Sequence, residues 1–197
     1  MTPAMLKNPL AWREARRSRG AFIPVAVTRM PYRALREGLI SIALALLLFC
    51  TACAEKKVVK IGDAAPAFSG YDLQGNSISL ARMRGKAVVI YFWTDSCCGD
   101  SLKLLEPFYN RNKHGGLEIL AVNEMDSRET VQSFATRNRL TFTMLPDENS
   151  AIFKQYNVLG FPTVLILDKS GVVREKILGD MQTAKLEKLI ERHIDAQ

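Results

Sequence analysis

Ala87-Val-Val-Ile-Tyr-Phe-Trp93-Thr-Asp-Ser-Cys97-Cys98-Gly-Asp-Ser101 is the stretch on which the fold turns. Its first seven residues are apolar without a break and rich in β-branched and aromatic types. That is the pattern of a central strand buried on both faces. Small and polar residues follow, and then Leu102, Leu104, Leu105, Phe108 and Tyr109 fall at helical spacing. A buried strand passing straight into a helix is a β–α unit of an open sheet. Such sheets form their sites at the carboxyl edge of the strands, where both cysteines fall.

Upstream, Lys56 to Ile61 reads as a tether entering a first strand, followed by Gly62-Asp-Ala-Ala-Pro66-Ala-Phe68. Tyr71 to Asn76 carries Gly-Asn between alternating residues, a hairpin signal continued by Ile78 and Leu80. Downstream, Leu117 to Asn123 repeats the buried-strand pattern, and Ser127 to Arg139 has Val131, Phe134 and Ala135 on one helical face. Thr141 to Leu145 is a short strand, and Ser150 to Tyr156 a helical turn or two. Thr163 to Asp168 and Val172 to Leu178 form a hairpin around Gly171. Thr183 to Ile194 closes the chain as an amphipathic helix with Leu186, Leu189 and Ile190 inward. The order is α/β: parallel strands joined by helical crossovers, then an antiparallel hairpin and a last helix. It amounts to a mixed central sheet flanked by helices, one domain over 61–197.

The net charge of +7 belongs to the beginning of the chain. Residues 1–52 hold eight Lys/Arg and two Asp/Glu, whereas the remainder holds 19 and 18. The folded part is therefore nearly neutral, and nothing in it suggests a nucleic-acid partner. Arg33 and Arg36 precede the apolar run Leu39–Ala52, 14 residues long. A spanning helix needs ~20 apolar residues, so this basic segment and short core read as a secretory signal. Thr51-Ala52-Cys53 resembles a bacterial lipobox, with Cys50 where that motif usually has Leu. The other reading is a short uncleaved anchor. The expected organisation is an upstream extension over 1–29 with the start at Met30, a signal over 30–52, and a tether over 53–60 lipidated at Cys53. Such a protein would be an exported, membrane-anchored lipoprotein facing the periplasm or cell exterior. Ala54 rather than Asp after Cys53 points in Gram-negative sorting to the outer membrane.

Gly62-Asp-x-Ala-Pro-x-Phe68, Asp72-x-x-Gly75, Gly85-Lys-x-Val-Val89, Phe92-Trp93, Leu120-Ala-Val-Asn123, Tyr156-x-Val-x-Gly-x-Pro-Thr163 and Asp168-x-x-Gly171 occur in order over residues 60–194. Together they resemble the TlpA/ResA branch of thioredoxins, which are exported, membrane-anchored thiol–disulfide oxidoreductases. The resemblance implies a thioredoxin-like fold, no cofactor, and protein or small-molecule thiols and disulfides as partners of a monomer. It also implies a cis-proline at Pro162, with Phe161, Pro162, Thr163 and Trp93 around a substrate groove.

The family's Trp-x-x-Trp-Cys-x-x-Cys is altered here. Counting from Trp93 places Cys97 at the nucleophile and Asp100 at the resolving position. Allowing one inserted residue places Cys98 there, with Ser101 replacing the resolving cysteine; this frame is preferred because it sets Leu105 and Phe108 at buried positions. A thiolate is the nucleophile, and a helix N-terminus stabilises it. Asp95 and Asp100 oppose that effect. With Cys50 and Cys53 spent on export, Cys97 and Cys98 are the only thiols the mature chain keeps. An intramolecular disulfide would be the vicinal one, strained and easily reduced. The family's assisting acid has no counterpart: Tyr91 replaces a buried Asp, and Lys103 or Leu104 falls where relatives place Glu. His114 and His193 are expected to face solvent, and no spacing suits a metal. Two other classes compete: a thioredoxin-fold binding module without redox turnover, and a peroxidase. The latter requires Pro-x-x-x-Thr/Ser-x-x-Cys, and no proline precedes these cysteines.

Overall fold

The computed structural model of the chain describes residues 58–194. The expected extension, signal and Cys53 lie outside those residues, as does the start of the tether. The described elements are β1 (Ser69–Tyr71), β2 (Ser77–Ser79), β3 (Ala87–Trp93), α1 (Asp95–Lys103), α2 (Glu106–Asn112), β4 (Leu117–Asn123), α3 (Arg128–Asn138), β5 (Thr143–Pro146), α4 (Ala151–Tyr156), β6 (Thr163–Leu167), β7 (Val173–Leu178) and α5 (Thr183–Ile194). Among them no helix is long and apolar enough to cross a membrane.

The main sheet has five strands in the order β5-β4-β3-β6-β7. β3 pairs in parallel with β4 and antiparallel with β6, so both its edges are occupied. That is why the Ala87–Trp93 run has no polar face. Ala87, Val89, Tyr91 and Trp93 point into one apolar layer with α1, α2, α3 and α5. Val88, Ile90 and Phe92 point into the other, with Phe68, Leu80, Ile152 and Tyr156. This is the mixed, helix-flanked thioredoxin-like sheet. The β1–β2 hairpin is closed by Asp72, whose carboxylate accepts the backbone N–H groups of Gln74 and Asn76 at 2.9 and 2.8 Å.

Three local expectations are corrected. The expected tether leads into no first strand: among the described residues, 58–68 form none. Their pairing is confined to a single bridge, Ala64 with Val172. Gly62 is left-handed at φ +92 and Pro66 has no N–H, so a ladder cannot extend in either direction. The helix after the cysteines is two helices, because Pro107 in the first turn of α2 cannot continue α1. The break turns Leu104 outward, 53% exposed, while Leu102 and Leu105 stay in the core. His193 is not solvent-facing: its Nε2 is buried, 3.8 Å from Glu175.

Candidate active site

The junction between β3 and α1 is shaped from its neighbours. Thr94, extended at φ −131, precedes the helix but offers no side-chain cap. The cap comes from the β4–α3 loop, where Asp126 Oδ2 accepts the Asp95 N–H at 2.7 Å and the Asn123 side-chain amide at 2.8 Å. Asn123 is 1% exposed, so the carboxylate is held by a fixed partner. The arrangement satisfies one of the N–H groups that every helix leaves unpaired in its first turn.

Cys97 and Cys98 both lie in that first turn but differ in exposure. Both are free thiols, Cys97 exposed and Cys98 buried. Cys97 Sγ–H is directed at the Phe161 carbonyl, 3.6 Å away. The Cys98 thiol reaches back to the Thr94 carbonyl at 3.7 Å and belongs to the core layer under α1. Burial pushes the Cys98 thiol up to about 12, and its neighbour Cys97 adds to the shift. The frame that favours Cys98 as the reactive thiol thus falls on the buried sulfur, and the other frame on the exposed one. Asp100, one turn beyond Cys97, is exposed and paired with Lys103 at 2.6 Å, which holds its carboxyl below the usual range. Neither Lys103 nor Leu104 supplies a carboxylate.

The expected groove residues separate in the structure. The Phe161–Pro162 bond is cis. Phe161 is half-buried against Phe153, with ring centroids 5.5 Å apart, and its carbonyl faces Cys97. Pro162 and Thr163 are buried. The Pro162 carbonyl is occupied by the Gly179 N–H at 2.9 Å, and the Thr163 hydroxyl donates to Gly160 at 2.7 Å. Trp93 lines no groove. It is 0% exposed, packed on Phe134 at 4.7 Å between centroids, with its indole N–H buried and unpartnered among the described residues. Its place is beneath the site, supporting α1.

Gly99 makes that support possible. A Cβ at this position would lie 2.7 Å from the Phe134 ring. The ring is held by Trp93 and cannot simply swing away. Gly99→Ala is expected to cost roughly 1–3 kcal/mol by overpacking and to displace the helix carrying both thiols. Thermal unfolding of the variant checks this; an unchanged Tm would refute it.

Two residues went unnoticed in the sequence. Asp126 sits in an ordinary polar loop, and only the fold brings it to the start of α1. Asp180 follows Gly179 in the turn after β7, beside the Pro162 carbonyl. Its charge, with those of the cysteines, bears on Tyr91, whose phenol is pushed upward chiefly by burial. The only forewarning is acid spacing after each strand, too common a pattern to single out a residue. Among the described residues no group of three or more His, Cys, Asp or Glu side chains could hold a metal ion.

The chain matches the AhpC/TSA family over residues 61–176. It is 36% identical to the thiol-disulfide oxidoreductase ResA of Geobacillus kaustophilus, over 72% of this chain and 80% of that protein. It is 30% identical to ResA of Bacillus anthracis, over 83% and 96%. Among solved structures, the thioredoxin domain of a thiol-disulfide oxidoreductase from Bacteroides vulgatus superposes with a TM-score of 0.58 at 29% identity, covering 67% of this chain and 99% of that one. A candidate thiol:disulfide interchange protein DsbE from Chlorobium tepidum gives 0.64 at 26%, covering 69% and 99%. With the sheet order and the β3–α1 junction described above, these likenesses show that the chain belongs to the TlpA/ResA-like thioredoxin family.

Proposed function

We propose that the protein is a thiol–disulfide oxidoreductase in which Cys97 makes the attack and Cys98 is its buried neighbour. The observation that carries this reading is the contrast between the two sulfurs. One is exposed on the first turn of a helix beside the Phe161 carbonyl, and the other is enclosed under the same turn. Helix geometry favours a thiolate at the exposed position, where backbone N–H groups point outward. The Cys97 thiolate attacks one sulfur of a partner disulfide. A new S–S bond forms, the old one breaks, and the other sulfur leaves as a thiolate.

Completing the exchange requires a second thiol. Cys98 is covalently adjacent but kept protonated by burial, so an external thiol resolves the mixed disulfide more readily than Cys98 does. The family relationship and the Phe161–Thr163 loop support protein thiols and disulfides as partners. The leader, read as a signal over 30–52 with Cys53 as the first mature residue, supports export and lipid anchoring of the domain, at the outer membrane if Ala54 directs sorting, and we take the domain as a monomer.

Native labelling tests the assignment. Iodoacetamide at about pH 8 is expected to modify Cys97 and to reach Cys98 only after denaturation. Peptide mapping by mass spectrometry reads both sites. Equal labelling of the two in the native protein would refute the division of roles.

A further inference from the structure

The edge around Cys97 carries acids on α1, on the β4–α3 loop and in the turn after β7, while the loop that presents Phe161 to Cys97 is uncharged. Asp95 and Asp100 stand on α1, on either side of the cysteines in sequence. Glu124 and Asp126 come from the β4–α3 loop, where the Glu124 N–H reaches the Trp93 carbonyl at 3.4 Å and Asp126 caps α1. Asp180 comes from the turn after β7, next to the residue bonded to the Pro162 carbonyl. Its charge is felt at Cys98 and at Tyr91. The cations whose contacts are known are engaged: Lys103 by Asp100 at this edge, Lys86 by Glu118, Arg128 by the Asp72 carbonyl, and Arg174 by Asp168. Since residues 53–197 are nearly neutral as a whole, the acidity is a local sorting of charge. Exposed apolar side chains accompany it. Met125 is 80% exposed beside Asp126, Leu159 is 79% exposed ahead of Phe161, and Leu178 is 63% exposed beside Gly179.

We propose that this edge selects its exchange partner by charge, taking cationic thiols and disulfides, above all polypeptide cysteines flanked by Lys or Arg and apolar residues, and disfavouring anionic ones such as glutathione disulfide. The inference rests on exchange at Cys97. In that step negative charge spreads over three sulfurs within an edge already anionic, so a cation brought by the partner offsets it. The proton given up by Cys97 goes to solvent and is returned to the departing thiolate, leaving the exchange balanced without a further reactant. Clefts of one sign raise the encounter rate of opposite charges by ten to a thousandfold, and salt screens the effect.

The test uses three small disulfides of similar shape: cystamine, a dication; 2-hydroxyethyl disulfide, neutral; and 3,3′-dithiodipropionate, a dianion. Mixed-disulfide formation at Cys97 is followed by mass spectrometry in the reduced protein. Each rate is divided by that of a neutral model thiol, N-acetylcysteine amide. Cystamine is expected to exceed the dianion by about tenfold or more at low salt. That ratio is expected to shrink toward one in about 0.5 M salt, and to fall in the Asp180→Asn, Glu124→Gln double variant. Equal normalised rates for the three, or an ordering indifferent to salt and to the double variant, overturn charge selection while exchange at Cys97 stands. No reaction with any of the three overturns both.

Discussion

Cys97→Ser is expected to abolish disulfide exchange, whereas Cys98→Ser leaves the first step in place. The asymmetry follows from position. Cys97 is the exposed thiol, and a hydroxyl in its place is a far poorer nucleophile, so turnover should drop on the order of 10³-fold or more, to the uncatalysed background. Cys98 is buried, and a serine hydroxyl there can keep the hydrogen bond to the Thr94 carbonyl. Without Cys98 the mixed disulfide at Cys97 should persist longer if the buried thiol contributes to resolution, and unchanged if an external thiol does all of it. Insulin reduction with added dithiol, together with mass spectrometry of the trapped adduct, measures both steps. Full activity in Cys97→Ser would return the role to Cys98. Absence of both activity and adduct in the wild-type protein would leave the domain as a binding module. Peroxide consumption, run alongside, is expected to stay at background.

Trp93→Ala should produce the largest loss of stability of any substitution near the site. The side chain is wholly buried, and it holds Phe134 in the position against which Gly99 and α1 pack. Truncating a buried aromatic costs roughly 3–5 kcal/mol through lost transfer energy and the cavity left behind. For a domain of this size that is a fall in Tm on the order of 10–20 °C. Trp93→Phe should cost much less, because the indole N–H has no partner to lose. Thermal denaturation of the two variants separates packing from hydrogen bonding. If Phe proves as damaging as Ala, the indole nitrogen has a partner in solution. If Ala is nearly neutral, the platform is not what holds α1.

Most of the architecture was legible because it depends on periodicity. The uninterrupted Ala87–Trp93 run is buried on both faces in the structure, as a continuous apolar strand must be, and Leu117–Asn123 is buried except at Glu118. Ser127 caps its helix by accepting the Thr130 N–H, and Leu186 and Ile190 face inward on α5. The misreadings came from single residues that override a pattern. Pro107 split one helix into two, and Gly62 and Pro66 kept the described residues before β1 from forming a strand. His193 looked isolated in sequence because its acidic neighbour, Glu175, lies on a different element.

The site divides in the same way. That two adjacent cysteines stand at a strand–helix junction is local information, and the sequence alone determined it; the Phe161-Pro162-Thr163 loop beside them was implied only by the family resemblance. Which sulfur is exposed depends on helix phase: neighbouring residues on a helix point about 100° apart, and only the packing of α1 on Trp93 and Phe134 sets which one turns inward. One residue of uncertainty in the frame is enough to reverse the assignment. The acids of the site edge are likewise scattered over α1, the β4–α3 loop and the turn after β7. Charges far apart in the chain acquire a common field only when the sheet brings its carboxyl edge and the β7 turn together, so the tertiary structure alone decided them.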